Sequence, residues 1–326
     1  MNLIASRGGS CEERADQLTY FAFANASGTE RASTPKSTRV KEMPDVLAGR
    51  YRIERLLGAG GMGVVYRARD LLSEQFGDAD PYIALKVLNE EVCGAPDAGI
   101  LLYNEFALTR RLRHDNVLRA YAFDVDADCQ RAFIIMELVS GLTLDKLLCE
   151  RPLGLRWAEL RGIAFALLGA LAYAHARGVL HGDIKPSNVI LGDDGLRLFD
   201  FGLGQAEEDI LPGLAHLNRD RFNAWTPAYA APELLEGQRL SASTDVYGVA
   251  CLLYELASGK HPFRRLPSTQ ARELQLDREL QPPRNLPGHC WPALQTALAF
   301  DSTQRTITTD QLRDSFNGSW RQHMTW

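Results

Sequence analysis

The sequence has little excess of either charge: 36 Lys and Arg stand against 41 Asp and Glu, for a net charge of −5. It contains no basic stripe interleaved with aromatic residues, which argues against a nucleic-acid partner. The six cysteines form no CxxC pair and have no histidine at metal-ligand spacing, so we expect reduced thiols rather than a zinc site. The longest apolar run, residues 163–174, is twelve residues long and too short to span a bilayer. Since no secretory signal pattern is present either, the sequence predicts a cytoplasmic protein without a membrane partner.

The chain is long enough for a two-lobed unit, and its hydrophobic content of 45% fits a globular core. Residues 1–46 are rich in Ser, Thr and basic residues and poor in apolar ones over much of their length, so we predict a disordered tail there. Short β-rich runs with one helical pattern predict an N-lobe over residues 47–138. Helical patterns then dominate and predict a C-lobe over residues 139–317, followed by a short tail, 318–326.

The order of these elements predicts the fold class. We expect strands at residues 51–57, 64–68, 83–88, 121–125 and 132–138, with one helix at 100–113. Later helices are expected at 157–177, 245–258, 292–300 and 309–316. Strands first and helices afterwards indicate an α+β chain with a small β-rich lobe, a larger helical lobe and a ligand cleft between them.

One stretch carries most of the chemical information. Residues 181–188 read His-Gly-Asp-Ile-Lys-Pro-Ser-Asn, and Asp-Phe-Gly follows at 200–202. The stretch supplies a potential proton acceptor, Asp183, a cation, Lys185, and two oxygen ligands for a hard divalent metal, Asn188 and Asp200. Transfer of a phosphoryl group from a nucleotide needs such residues, because its catalysis is mostly positioning and charge neutralisation. Either His-Gly-Asp or Asp-Phe-Gly alone would favour a surface turn rich in Asp and Gly, but the two together at this spacing favour phosphoryl transfer.

A glycine-rich motif precedes this stretch. Residues 58–65, Gly-Ala-Gly-Gly-Met-Gly-Val-Val, fit the pattern G-x-G-x-x-G-x-V. Glycines let the backbone approach phosphate oxygens and present N–H donors to them. Because the chain continues as a strand through Val64 and Val65, a hairpin lid over phosphates is favoured over a dinucleotide-binding turn, in which the glycines open a helix.

Lys86 lies in an apolar strand, where it is either a solvated edge residue or a semi-buried charge that needs a partner. Glu105, in the following predicted helix, is the candidate partner. The alternative is that Glu105 pairs with Arg110 on its own helix.

Taken in order, these motifs and Ala231-Pro232-Glu233 resemble the signature set of protein kinases. From about residue 51 to residue 316 the chain looks like a eukaryotic-type (Hanks-type) serine/threonine protein kinase, and its glycine-rich segment resembles the bacterial branch. The resemblance implies a two-lobed protein kinase-like fold and a role in signalling. It also implies ATP as phosphoryl donor, Mg²⁺ as cofactor (Mn²⁺ could replace it), and proteins with Ser or Thr hydroxyls as substrates.

The resemblance further implies roles for the matching residues. Asp183 would orient and deprotonate the substrate hydroxyl, and Lys185 would contact the γ-phosphate. Lys86, paired with Glu105, would contact the α- and β-phosphates, while Asn188 and Asp200 would hold the metal. ATP would be bound by residues of the lid, the Lys86 strand and the hinge: Leu57, Gly58, Ala59, Gly60, Gly61, Met62, Gly63, Val65, Ala84, Lys86, Met136, Glu137 and Leu138.

Four further residues have implied scaffold roles. Asp245 would brace the catalytic loop, and Glu233 and Arg305 would form a buried ion pair. An ordinary helix cap for Asp245 and a solvated position for Arg305 are the alternatives. Lys185 two residues after Asp183, together with Thr226 in the segment Trp-Thr-Pro-Ala-Tyr, resembles the Ser/Thr pattern rather than the Tyr pattern. Thr226 would bond to Asp183 and Lys185 and shape the acceptor site.

Two positions depart from the family pattern. Family members switched by activation-loop phosphorylation usually carry Arg before the catalytic Asp, where the cation pairs with the new phosphate, but this chain has Gly182. From residue 203 to 230 the only hydroxyl residues are Thr226 and Tyr229. We therefore expect activity that does not need activation-loop phosphorylation. The second departure is Trp225, where the family commonly has Gly; it could pack the segment or narrow the acceptor groove.

Two other functions compete with this interpretation. A small-molecule phosphotransferase of the antibiotic- or choline-kinase type would share His-Gly-Asp, but Lys185, the glycine-rich lid and residues 226–233 argue against it. A pseudokinase scaffold would normally lack Lys86, Asp183, Asn188 or Asp200, and all four are present. No sensor domain is recognised after the last predicted helix, and the sequence leaves the regulatory partner unknown.

Overall fold

The computed structural model describes residues 43–59, 63–88, 98–206 and 225–317. Most of the predicted N-terminal tail, the predicted C-terminal tail at 318–326, and the lid residues Gly60, Gly61 and Met62 lie outside the described residues. The first strand begins at Val46, the last residue of the predicted N-terminal tail, and pairs Val46 with Arg52.

The N-lobe is built on one antiparallel sheet. Its strand order is β1-β2-β3-β4-β6-β5. The strands are β1 (Val46–Leu47), β2 (Tyr51–Ala59), β3 (Gly63–Asp70), β4 (Tyr82–Leu88), β5 (Ala120–Asp126) and β6 (Arg131–Met136). Two helices accompany them, α1 (Leu71–Gln75) and α2 (Ala98–Thr109).

Strand β4 is buried on both faces, and this positions the functional lysine. Leu85 and Val87 lie in one hydrophobic cluster, whereas Ala84 and Leu88 lie in another cluster that includes apolar residues of α2. Successive side chains of a strand point to opposite faces, so Lys86 has the same direction as Ala84 and Leu88. The alternation therefore turns Lys86 towards α2, the helix that carries Glu105.

Two N-lobe predictions differ from the structure. Between the strands expected at 64–68 and 83–88, where no helix was expected, the chain forms helix α1, because the Asp70 carboxylate accepts hydrogen bonds from the backbone N–H groups of Leu72 and Ser73. The helix expected to reach residue 113 ends at Thr109. Beyond it, the N–H of Leu112 donates to the carbonyl of Thr109, so a tighter turn keeps Leu112 buried and preserves the apolar spacing.

The C-lobe is mainly helical. Its α-helices in the described residues are α3 (Leu144–Glu150), α4 (Trp157–His175), α5 (Pro232–Leu235), α6 (Ala242–Ser258), α7 (Ser268–Glu273), α8 (Trp291–Ala297) and α9 (Thr309–Phe316). It also contains five short strands in two small sheets, of order β10-β9-β7 and β11-β8. They are β7 (Gly141–Thr143), β8 (Val179–Leu180), β9 (Val189–Gly192), β10 (Gly195–Leu198) and β11 (Gln205–Ala206). Four residues of α4, Leu160, Ile163, Leu167 and Leu171, are buried in the core of this lobe.

Helix α6 begins three residues before the predicted start at residue 245. The cap is Ser241: its side chain accepts from the N–H of Thr244, whose own side chain bonds back to Ser241. Gly259 ends the helix at φ 73°, the left-handed geometry that glycine favours. Together the two lobes confirm the predicted α+β, two-lobed fold class.

Helix α4 is the one helix in the described part of the chain that is long and apolar enough to cross a membrane by those two measures alone. Core helices of soluble proteins pass the same test, and half of the relevant segment is buried inside the protein.

The cysteine expectation was wrong at one position. Cys129, Cys251 and Cys290 are free thiols, but Cys149 is disulfide-bonded.

Candidate active site

Lys86 joins the two lobes through a pair of carboxylates. Its Nζ lies 2.6 Å from Glu105 Oε2 of α2 and 2.7 Å from Asp200 Oδ1, which follows the C-lobe strand β10. The Lys86 and Glu105 side chains are less than a tenth exposed. The predicted contact between Lys86 and Glu105 is thus present, and Asp200 shares the same ammonium group.

Burial and the neighbouring charges shift the pKa values of this cluster in opposite directions. Burial, the largest effect, raises the pKa of Glu105 to about 7, although the Lys86 ammonium opposes the shift. Burial would also raise the pKa of Asp200, but the charge of Lys86 outweighs it and the pKa falls to about 2. The two carboxylates outweigh the burial of Lys86 and raise its pKa above the ordinary value. Asp200 is therefore the carboxylate that stays ionised across the acidic range, and Lys86 stays cationic.

Asp183 is the centre of a second cluster. Its carboxylate accepts a hydrogen bond from Thr226 Oγ1 at 2.9 Å and lies 2.6 Å from Lys185 Nζ. Lys185 Nζ also donates to Thr226 Oγ1 at 2.9 Å, which closes a triangle of three polar groups. Asn188 Nδ2 donates to the backbone oxygen of Asp183 at 2.8 Å and to its carboxylate at 3.2 Å. One oxygen of Asp183 is thus fixed by Thr226, and the carboxylate is oriented by neighbours from three directions.

Asp245 braces the backbone of this catalytic loop. Its carboxylate is buried and accepts the N–H groups of His181 and Gly182, both at 2.8 Å, and it lies 2.9 Å from His175 Nε2. Burial would raise the pKa of Asp245, but the bond to His175 and the neighbouring histidine charges lower it. Asp245 binds two consecutive loop amides, as a bracing residue would, and the helix-cap alternative does not hold because Ser241 is the cap of α6.

Two aromatic neighbours were missed by the site prediction. Phe201 is fully buried, and its ring centroid lies 4.5 Å from that of His181. Phe201 packs in the C-lobe core cluster that also contains Leu108 of α2. Asp200 itself has left-handed backbone geometry, with φ 68° and ψ 65°, which turns its carboxylate towards Lys86 while Phe201 points into the core. Both residues belong to the quoted motifs, so the signal was present, but only packing reveals their contact.

Several of the predicted nucleotide-binding residues share one face of the N-lobe sheet, since Val65, Ala84 and Met136 belong to or pack against the same hydrophobic cluster. Ala84 is paired with Met136 across β4 and β6, and Val65 is paired with Lys86 across β3 and β4. Gly63 must be glycine, because a Cβ there would lie 2.6 Å from the carbonyl oxygen of Val87. Strand β2 ends with the partly exposed Leu57 and with Gly58 and Ala59, whereas the remaining lid residues lie outside the described ranges.

The hinge begins at Glu137, whose side chain has a structural role. Its carboxylate accepts the Arg119 N–H at 2.9 Å and lies 3.3 Å from Arg197 Nε. The N–H groups of Leu138 and Val139 have no hydrogen-bond partner among residues 43–59, 63–88, 98–206 and 225–317. These two amides are therefore available to a ligand, and Val139 is an addition to the predicted set.

The scaffold ion pair of the C-lobe is present and completely buried on the arginine side. Arg305 Nη1 lies 2.7 Å from Glu233 Oε1, and Arg305 also donates to the carbonyl oxygens of Ala299 and Ser243. The solvated alternative for Arg305 is excluded, since its side chain is 0% exposed. A second buried network was not predicted: the Tyr229 hydroxyl and Arg265 both bond to the carboxylate of Glu255.

Gly182 has a structural reason to be glycine. Its φ is +82°, a region that side chains disfavour, and a Cβ would lie 2.8 Å from the Leu203 carbonyl oxygen and 3.1 Å from Leu240 Cδ2. An arginine could therefore not be accommodated here without a local shift of the chain. The departure from the family pattern is built into the packing of the catalytic loop.

Comparison with known proteins supports the same family. Residues 51–316 match the protein kinase domain. The serine/threonine-protein kinase PkaA of Streptomyces coelicolor is 32% identical over 77% of this chain and 47% of its own length. The serine/threonine-protein kinase pkn3 of Myxococcus xanthus is 34% identical over 67% of this chain and 39% of its own length. The chain thus spans about half, or less, of these curated relatives.

A solved structure agrees. The kinase domain of Mycobacterium tuberculosis PknI has a TM-score of 0.61 and 28% identity to this chain, over 84% of this chain and 96% of that domain. The match to the protein kinase domain covers residues 51–316, the same range over which the sequence motifs resemble that family. The chain belongs to the protein kinase family, in its Hanks-type serine/threonine group.

Proposed function

We propose that this protein transfers the γ-phosphoryl group of ATP to Ser or Thr hydroxyls of protein substrates. The observation that carries the proposal is the triangle of Asp183, Lys185 and Thr226, closed by contacts of 2.6 to 2.9 Å. A carboxylate and an ammonium group held together by a threonine form a site for a hydroxyl that must lose its proton while its oxygen meets a phosphate.

In the proposed step, the oxygen of the acceptor hydroxyl bonds to the γ-phosphorus of ATP, and the bond from that phosphorus to the bridging oxygen breaks. The proton of the hydroxyl passes to Asp183, which accepts it as a general base. Lys185 offsets charge on the transferred phosphoryl group, and Lys86 offsets charge on the phosphates that leave as ADP. Because most of this catalysis is positioning, the short contacts that orient the Asp183 carboxylate contribute to the rate.

Two residues would hold the metal. Asn188 commits its Nδ2 to Asp183, which leaves its side-chain oxygen for a cation, and Asp200 stays ionised beside Lys86. This oxygen pair fits Mg²⁺, and Mn²⁺ could replace it, since both prefer hard oxygen ligands and take the rest from phosphates and water. The described residues contain no group of three or more His, Cys, Asp or Glu that could hold a metal ion. When bound, Mg²⁺ neutralises phosphate charge.

The acceptor class is tested by a direct comparison of substrates. We expect transfer from labelled ATP to casein or myelin basic protein, with label on Ser and Thr after acid hydrolysis, and no transfer to kanamycin or choline. The reason is that Lys185 is bonded to Thr226, and Thr226 begins a hydrogen-bonded turn within residues 226–231, a segment that a small acceptor does not need. Transfer only to kanamycin or choline would favour the small-molecule alternative, and nucleotide binding without any transfer would favour the pseudokinase scaffold.

We also propose that activity does not require phosphorylation of the activation segment. Residues 207–224 contain no Ser, Thr or Tyr, and Gly182 provides no cation that could bind a phosphate. Treatment of the purified protein with a broad-specificity phosphatase, followed by removal of the phosphatase, is expected to leave kcat within about twofold of the mock-treated sample. A tenfold or larger loss, restored by incubation with ATP, would contradict the proposal.

The cellular setting is a proposal as well. We propose a cytoplasmic signalling enzyme whose regulatory partner is unknown, without a nucleic-acid or membrane partner. The near balance of 36 basic and 41 acidic residues supports the exclusion of nucleic acid.

A further inference from the structure

Thr226 has to be held accurately for the proposed step, because it contacts both Asp183 and Lys185. Its own backbone oxygen accepts the N–H groups of Tyr229 and Ala230 at 2.9 and 3.0 Å, so a tight turn follows it. Behind this turn, Tyr229 is anchored by the buried carboxylate of Glu255. The chain after Thr226 is therefore fixed by hydrogen bonds to the C-lobe core.

The chain before Thr226 is fixed differently. Trp225 is partly buried, and its side chain packs against a small apolar cluster formed by Leu180, Leu234 and Leu240. Each of these leucines belongs to a different element: Leu180 ends β8, Leu234 lies in α5, and Leu240 precedes the cap of α6. The indole of Trp225 thus anchors the chain just before Thr226 to three separate parts of the C-lobe.

This cluster also adjoins the catalytic loop. Leu180 stands two residues before Gly182, and Leu240 Cδ2 lies 3.1 Å from the position that a Cβ on Gly182 would occupy. A family member regulated by phosphorylation would have an arginine side chain at this position, which here lies against the Leu203 carbonyl and the Leu240 side chain. Gly182 itself offers no cation to a phosphate, whereas the indole of Trp225 packs against the leucine cluster.

We propose that Trp225 is a positioning residue: it seats Thr226 between Asp183 and Lys185 by apolar contact with Leu180, Leu234 and Leu240. The contact does for this chain what a phosphate–arginine pair does elsewhere, and it needs no modification. This inference rests on the proposed kinase function and answers the question that Trp225 raised in the sequence, since the ring packs the segment.

The first test compares Trp225→Ala and Trp225→Phe with the wild-type protein. Loss of the indole should let Thr226 move, and a displacement near 1 Å costs about 10- to 100-fold in kcat. We expect such a loss for Trp225→Ala, with the KM for ATP within about twofold, because the nucleotide contacts lie elsewhere. Trp225→Phe keeps an apolar ring, so its kcat is expected within about fivefold of the wild-type value. If the alanine variant does not fold, the phenylalanine variant is used for the test in its place.

The matched control is Trp157→Ala. Trp157 is also partly buried, but it begins α4 and stacks on Phe316, with ring centroids 5.8 Å apart, rather than on the catalytic loop. Its loss should lower the thermal midpoint while kcat, measured well below that midpoint, stays within about twofold. An equal loss of kcat in both alanine variants would mean that Trp225 acts through general stability, and the proposal would be wrong.

A double-mutant cycle separates positioning from other effects. If Trp225 acts through Thr226, then adding Trp225→Ala to Thr226→Ala should change kcat by less than about threefold. The full effect of Trp225→Ala in the Thr226→Ala background would contradict the proposal, as would a Trp225→Ala variant with wild-type kcat. Those results require an active wild-type protein; if the wild-type protein itself transfers no phosphate to casein or myelin basic protein, the proposed function fails instead.

Discussion

Replacing Asp183 with asparagine is expected to lower kcat for phosphoryl transfer by about 10²- to 10⁴-fold, the range that a general base contributes. Asparagine has nearly the same shape, so its contacts with Lys185 and Thr226 can persist, but its amide cannot accept the proton of the substrate hydroxyl. Within the described residues, the Asp183 carboxylate is also the one acidic group that contacts Lys185, Asn188 and Thr226 together, so we expect no neighbouring acid to replace it.

The measurement has two parts. Transfer to a protein substrate gives kcat, and thermal unfolding with and without ATP reports nucleotide binding. Ligand at about 100 times its Kd stabilises a protein by about 2.7 kcal/mol, and the variant should keep most of this stabilisation because its nucleotide contacts are intact. Asp193→Asn, a change at an exposed turn between β9 and β10, is the control and should leave both measurements unchanged. A fully active Asp183→Asn variant would contradict the assignment of the base.

Replacing Arg305 with glutamine is expected to reduce the free energy of unfolding by about 3–5 kcal/mol. The guanidinium is completely buried, and it satisfies Glu233, two carbonyl oxygens in the segment before it, and Ser243 at the start of α6. Removal of the cation leaves the Glu233 carboxylate buried without an opposite charge. The cost comes from this unpaired anion rather than from the strength of the pair itself.

Urea unfolding of the variant and the wild-type protein gives the difference directly, provided that the slope of the transition is unchanged. Arg313→Gln is the matched control, because Arg313 is about a third exposed and its bridge to Asp310 lies at the surface of α9. Such a surface pair contributes about 0–1 kcal/mol. The double variant with Glu233→Gln should lose less than the sum of the two single variants, since no charge remains unpaired. An Arg305→Gln loss no larger than that of Arg313→Gln would show that the pair is not needed for stability.

Elements with strong local signals were predictable. The helix expected at residues 309–316 has those bounds in the structure, since Thr308 and Gln311 form a capping box that can be read from neighbouring residues. The start of α6 was predicted too late, because three residues before Asp245, namely Ser241, Ser243 and Thr244, could each serve as a cap and only the folded chain selects Ser241. Helix α1 was missed because it has five residues and depends on Asp70, which Arg50 holds from another part of the sheet.

The candidate site divides in the same way. The sequence by itself determined which residues are candidates for the chemistry: Asp183, Lys185, Asn188, Asp200, Lys86 and Glu105 occur in motifs whose order and spacing are recognisable without coordinates. It could not determine that Asp200 shares Lys86 with Glu105, that the Val139 amide has no partner within the described residues, or that Trp225 packs against a cluster of three leucines. Those facts depend on contacts between residues far apart in the chain. Local patterns carry information about neighbours in sequence, whereas the partner of a side chain is decided when the lobes and helices pack, and this is why only the tertiary structure shows how Thr226 is held at the acceptor site.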